Sequence, residues 1–350
     1  MSKSVEEFSN NIADVIFDNS GKYDIELLFY LTRHCNLSCN GCYMNSGPNA
    51  SRAMLPMKDL RYWLKEFEKV SGFDESVVFS GGEIFSLPIP YVEHNAHQVL
   101  DRGWRLQLKT NGAWVSETER RDAIRAMLRR LQPHQVSNAS DDDVKRALGR
   151  LPKVVWCAMG NKLAGWLLWQ MLKKQTALDL VVSVDNKLHP KQSAKWFEDI
   201  ANMLVQDSRL SKTVNLKTFT FFESIAFFED LVLDNKNLDV SNFRQMHSHN
   251  ACEYTVHGKR VETYFGDFIK PGSVSIEKKL SEIAVPDMSG RGRLIYSFMP
   301  DRTVGVECDF VDSVGRVPYV ADDGQMKSFQ QIKTDIHKKL VEDYKKVVAK

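Results

Sequence analysis

Ile25-Glu-Leu-Leu-Phe-Tyr-Leu31-Thr-Arg-His-Cys35-Asn-Leu-Ser-Cys39-Asn-Gly-Cys42-Tyr43 is the stretch that decides the fold. Its first half is rich in β-formers and reads as a strand. Its second half puts three thiols on the loop that follows, spaced C-x3-C-x2-C, with no fourth cysteine nearby. The missing fourth is the informative part. A [4Fe–4S] cube normally takes about four protein thiolates, one per iron. Three thiolates hold three corners and leave one iron open to bind and activate a small molecule. A fully ligated cluster mostly carries electrons.

Downstream of this loop the strand–loop–helix pattern repeats. Met57 to Val70 has helical periodicity, with Leu60, Trp63, Leu64 and Phe67 on one stripe. Ser76-Val-Val-Phe-Ser80 is a strand ending in Gly81-Gly82-Glu83, and Tyr91 to Arg102 is a helix closed by Gly103. Arg105-Leu-Gln-Leu-Lys109 is a third strand, ending in Thr110-Asn111-Gly112. Ser116 to Leu131 is a helix for which Ser116 and Glu119 offer a capping box. Three such units in sequence predict parallel βα architecture, with motif residues at the strand ends where a βα barrel builds its active site. Further on, Lys153–Cys157 and Leu178–Val184 read as strands, the latter ending in Asp185. Trp166 to Lys174 and Lys191 to Val205 read as helices, and Thr213 to Phe222 as another strand.

The predicted fold class is α/β: a partial (β/α)6 TIM-like barrel of parallel strands with a C-terminal α+β extension. The expected domains are an N-terminal helical segment over 1–24, the barrel over 25–245 and an extension over 246–350 that caps it. The extension holds short strands (Arg293 to Ser297, Val304 to Glu307), turn signals and a charged closing helix from Phe329 to Val348.

Composition bounds the function. The chain of 350 residues is 43% hydrophobic and 26% charged, with 47 basic and 45 acidic residues and a net charge of +2. That near-balance gives no argument for nucleic acid or an anionic membrane as partner. Met1 to Asn10 is polar and lacks the apolar core of a signal peptide, and no apolar run is long enough to span a bilayer. The remaining cysteines, Cys157, Cys252 and Cys308, stand alone, which fits a reducing cytoplasm and a metal site rather than a disulfide framework.

The ordered set Cys35, Cys39, Cys42 and Tyr43, then Gly81-Gly82-Glu83, then Thr110-Asn111-Gly112, resembles the radical S-adenosylmethionine (radical SAM) enzymes over roughly the first two thirds of the chain. The resemblance implies that Cys35, Cys39 and Cys42 hold a [4Fe–4S] cluster whose open iron binds S-adenosyl-L-methionine. Reductive cleavage then gives methionine and a 5′-deoxyadenosyl radical, which abstracts hydrogen from a substrate. It implies cofactor contacts from Tyr43 at the adenine, from Gly81, Gly82 and Glu83 at the ammonium, and from Thr110, Asn111, Ser183 and Asp185. It also implies an electron donor such as flavodoxin or ferredoxin. The segment Leu294 to Cys308 resembles the opening hairpin of the SPASM/twitch-like extension of peptide-modifying members, here cysteine-poor. A precursor peptide is therefore the implied substrate class, with a nucleotide or sugar as the alternative. The reaction class stays open between oxidoreductase, transferase and isomerase, and Cys252 or Cys308 is a candidate hydrogen donor.

Plainer readings stand beside these. The three thiols with His34 could hold a structural zinc in a non-enzymatic binding protein, although His34 adjoins Cys35 and makes that geometry awkward. Gly81-Gly82 and Thr110-Asn-Gly are also ordinary turn sequences, and Ser183 and Asp185 could cap a helix. His247, His249, Cys252 and His257 form a run that matches no specific metal site. Arg120, Arg121, Arg125, Arg129 and Arg130 read as a solvated helix face.

Overall fold

The computed structural model describes residues 4–17, 23–39, 42, 44–70, 73–131, 178–184, 193–221, 239–245, 251–266, 292–307 and 314–348. β1 (Tyr23–Tyr30) is the strand predicted ahead of the thiol loop. Leu27, Phe29 and the following Leu31 enter the main core, while Leu28 and Tyr30 enter a second apolar cluster on the other face. A strand apolar on both faces is covered on both sides, as in a parallel sheet.

Chain order then gives β2 (Phe73–Ser80), β3 (Arg105–Thr110), β4 (Leu178–Ser183) and β5 (Asn215–Phe221). β6 (Val240–Gln245), β7 (Ala251–Val256) and β8 (Lys259–Gly266) come next, then β9 (Gly292–Phe298), β10 (Thr303–Glu307) and β11 (Val314–Pro318). They form one sheet of order β11-β10-β9-β1-β2-β3-β4-β5-β8-β7-β6. The first five strands lie side by side in chain order and all parallel. A doubly wound sheet would reverse its order at a switch point. This winding is the singly wound one of a βα barrel left open, as the sequence predicts.

Two features depart from the sequence pattern. Among the described residues the sixth parallel strand is β8, which pairs with β5; β7 lies antiparallel to β8, and β6 antiparallel to β7 at the edge of the sheet. The C-terminal strands also join the sheet: β9 pairs parallel with β1, Ile25 opposite Leu294 and Phe29 opposite Phe298. The reason is in the side chains. Leu294, Tyr296 and Phe298 enter the main core and Ile295 enters the second cluster, so β9 has the two-faced apolarity of β1.

The helices cover the main-core face. Among the described residues they are α1 (Val5–Ile16), α2 (Met57–Phe67), α3 (Ile89–Leu100), α4 (Thr118–Arg130), α5 (Ser193–Gln206), the short α6 (Leu210–Thr213) and α7 (Phe329–Val348). α1 meets α7 through Phe8, whose ring stacks on Tyr344 at 3.8 Å between centroids. The predicted capping box of α4 does not form. Ala113–Ser116 winds into a 3-10 turn first, and the Ser116 hydroxyl donates to the Ala113 carbonyl at 2.7 Å. Nor is the arginine face of α4 simply solvated. Arg125 and Arg129 both reach Asp207 (3.1 and 2.6 Å), Arg130 pairs with Glu93 at 2.6 Å, and Arg120 donates to the carbonyls of Phe85 and Leu87. The strand predicted over Lys153–Cys157 and the helix over Trp166–Lys174 lie outside the described residues.

Candidate functional site

The thiol loop leaves the C-terminal end of β1 and is fastened to its neighbours by backbone. Leu55 N–H donates to Leu31 O at 2.9 Å, Cys35 N–H to Gly47 O at 3.2 Å, Gly82 N–H to Thr32 O at 2.9 Å and Glu83 N–H to His34 O at 2.9 Å. The last two explain the glycine pair. Gly81 has φ +141°, and a Cβ there would strike the Thr32 carbonyl, while a Cβ on Gly82 would strike that of His34. The close approach that these glycines allow is to the thiol loop itself.

Glu83 closes the next layer. Its carboxylate is 2% exposed. Oε1 accepts from Phe85 N–H at 2.9 Å and from the Thr110 hydroxyl at 2.8 Å, and Oε2 accepts from Asn111 N–H at 2.8 Å. Burial pushes its pKa up to about 7, against the lowering by these donors. The carboxylate thus ties the end of β2 to the end of β3. Asn111 passes the connection back: its amide nitrogen donates to Asn36 Oδ1 at 2.9 Å and lies 3.6 Å from Cys35 Sγ. Leu37 N–H points at the same sulfur from 3.4 Å.

Cys35 is buried, and burial pushes its thiol up to about 11. Cys39 and Cys42 are half-buried, and Cys42 N–H donates to Cys39 O at 3.3 Å. Cys42 packs on the second apolar cluster, where Met44 meets Leu28, Tyr30, Val78, Ile295 and Met299. β9 therefore supplies part of the wall of the thiol loop. Its hairpin turn adds an ion pair, Arg33 Nη2 to Asp301 Oδ2 at 3.2 Å, and Arg316 holds the same carboxylate at 2.8 Å.

Cys35, Gly81, Gly82, Glu83, Thr110 and Asn111 thus meet at one edge of the sheet. Ser183 stands half-buried at the end of β4, one residue past the partner of Thr110. Tyr43, Asp185, Cys308, His247 and His249 lie outside the described residues. Cys252 is 2% exposed in the main core of β7, where Thr263 bonds its thiol and burial pushes it up to about 11. His257 sits at the β7–β8 turn with φ 48°. Among the described residues, no three His, Cys, Asp or Glu side chains converge on a point where one metal ion could sit.

Asn36, Met44, Ile295, Met299 and Asp301 were not legible as site residues. Asn36 lies within the cysteine run and could have been weighed. Asp301 is 268 positions from Arg33, with no local signal linking them.

No family model and no curated protein matches this chain. Among solved structures it is similar to Streptococcus suis SuiB bound to precursor peptide SuiA, with 15% identity and a TM-score of 0.33 over 67% of this chain and 43% of that one. It is also similar to coproporphyrinogen III oxidase (HemN) from Escherichia coli, a radical SAM enzyme, with 9% identity and a TM-score of 0.26 over 65% of this chain and 44% of that one. The match thus spans less than half the length of either.

Proposed function

We propose that this chain is a radical SAM enzyme, with Cys35, Cys39 and Cys42 as ligands of a [4Fe–4S] cluster. The observation that carries the reading is the three-thiol loop at the end of β1, bonded through its backbone to Gly82-Glu83 and through Asn36 to Asn111. The donor set fits the group. Three thiols lie on one loop, and two N–H donors (Leu37 and Asn111) face the sulfur of Cys35, which suits a thiolate more than a thiol. When bound, the cluster and S-adenosyl-L-methionine supply one-electron cleavage of a sulfonium–carbon bond and a 5′-deoxyadenosyl radical for hydrogen abstraction.

The chain's own residues do the rest. Cys35 gives up its proton on metal loading, against the burial that otherwise keeps it protonated. Leu28, Tyr30, Met44, Val78, Ile295 and Met299 keep water from one side of the thiol loop. Glu83 acts by holding Thr110 and Asn111, since its oxygens already have donors within the protein. Tyr43, Gly81, Gly82, Asn111, Ser183 and Asp185 remain the candidate contacts for S-adenosyl-L-methionine. A peptide precursor is the proposed substrate class, on the sequence of the β9–β10 hairpin.

Anaerobic reconstitution tests this. The expected result is about four irons per chain and 5′-deoxyadenosine that forms only with dithionite, both lost in Cys39→Ala. Zinc without iron, or a loaded iron protein that never cleaves S-adenosyl-L-methionine, would sink the reading.

A further inference from the structure

Among the described residues, the large apolar side chains left exposed are Met54 (41%), Met57 (44%) and Tyr264 (38%). The two methionines lie three positions apart in the segment that leads into α2. Met54 bridges Thr32, and Leu55 N–H bonds Leu31 O, so this segment is backbone-paired to the chain entering the cysteines. Arg52, Lys58, Arg61 and Lys65 flank them along the chain, all exposed; Met57, Arg61 and Lys65 follow one stripe of α2. Arg52, Lys58 and Lys65 make no ion pair among the described residues. The acid of the first turn, Asp59, does not neutralise the patch. It is 1% exposed and turned inward to Arg302 at 3.0 Å. In a chain whose net charge is only +2, this concentration of unpaired positive charge is local.

An apolar centre inside a basic rim fits a partner with an apolar centre inside an acidic rim. Methionine adapts its shape to a partner that docks briefly. The patch borders the loop that, on the cluster reading, must receive one electron from outside.

We propose that Arg52, Met54, Met57, Lys58 and Arg61 form the docking surface for a small acidic one-electron carrier protein. This rests on the cluster reading. On docking, the carrier is oxidised by one electron and the thiol-held site is reduced by one; no bond forms or breaks and no proton moves. The basic rim speeds encounter, and its effect falls as salt screens it.

The test uses the reconstituted full chain with two purified acidic carriers, a flavodoxin and a ferredoxin. Binding to at least one is expected, with a Kd that rises with salt and rises about tenfold or more in Arg52→Glu/Lys58→Glu. Met57→Ser should weaken binding less. The double variant should cleave S-adenosyl-L-methionine normally with dithionite and slowly with the carrier. The inference is overturned if neither carrier binds, or if Kd ignores both the charge reversals and salt. It is equally overturned if the patch binds phosphatidylserine vesicles or single-stranded DNA and not the carriers. Loss of dithionite-driven cleavage in the wild-type protein would instead count against the cluster reading, while carrier binding is scored independently.

Discussion

The two halves of the sheet handle polarity in opposite ways. At the C-terminal edge of β1, β2 and β3, polar groups close on one another through backbone, and the buried carboxylate of Glu83 is biased toward its neutral form. Across β4, β5 and β8 the sheet carries charge instead. Leu180, Leu216 and Val261 face the main core, so Asp179, Lys217 and Glu262 share the other face. Lys217 lies 2.9 Å from Asp179 and 3.2 Å from Glu262, and Arg260 continues the row at 3.2 Å from Glu262. Burial alone would lower the pKa of Lys217; Asp179, then Tyr264 and Glu262, hold it well above the ordinary range. One half is therefore shaped by how closely backbones approach, the other by pairing of side-chain charge. The first should fail when a single Cβ is added, the second when a single charge is deleted.

The largest effect expected is at Gly82. Gly82→Ala puts a methyl group against the backbone of His34, which cannot swing aside as a side chain would. A loss of about 4 kcal/mol or more is expected by urea unfolding, together with loss of iron binding; a variant as stable as wild type would break the comparison on its first side.

Lys217→Met comes next. It leaves Asp179, 1% exposed, as a buried carboxylate without its cation. A cost of about 3 kcal/mol is expected, and Lys217→Met/Asp179→Asn should recover more than half of it. If the double variant is no better than the single one, the row is ordinary packing and not a charge pairing.

The smallest effect sharpens the boundary between the halves, where α4 meets the turn after α5. Burial works against the Asp207 carboxylate, but the Leu210 N–H and the Arg125 and Arg129 guanidiniums hold it down at about 2, below its ordinary 3.8. A depressed carboxylate stabilises the fold above its unfolded value and loses that contribution as pH falls toward the folded one. Asp207→Asn should therefore cost about 2 kcal/mol at neutral pH. The gap from wild type should narrow below about pH 4; a gap independent of pH would assign the loss to the helix turn and not to the charge.

The contrast between the halves follows what was legible beforehand. The β1–β3 edge is local in sequence: each strand is followed at once by its motif, so Cys35, Gly81-Gly82-Glu83 and Thr110-Asn111 could be placed on one edge. Glu83 turned inward because three donors lie within its reach, which no linear pattern displays. The charged row is assembled from strands whose register sets Lys217 opposite Val181 and Glu262, and register is a property of the sheet. The predicted capping box failed at Ser116 for a similarly local reason, a 3-10 turn claiming that hydroxyl first.

By itself, the sequence determined the strand–loop–helix succession, the three thiols on a strand-end loop and the glycine pair behind them. Periodicity and spacing record which faces are buried, and that is enough for elements and their order. The tertiary structure alone decided that β8 is the parallel strand beside β5, and that β9 lies against β1. It also decided that Ile295, Met299 and Asp301 reach the thiol loop from the far end of the chain. Apolar faces specify that a strand needs cover on both sides, but only packing shape and register choose which strand provides it.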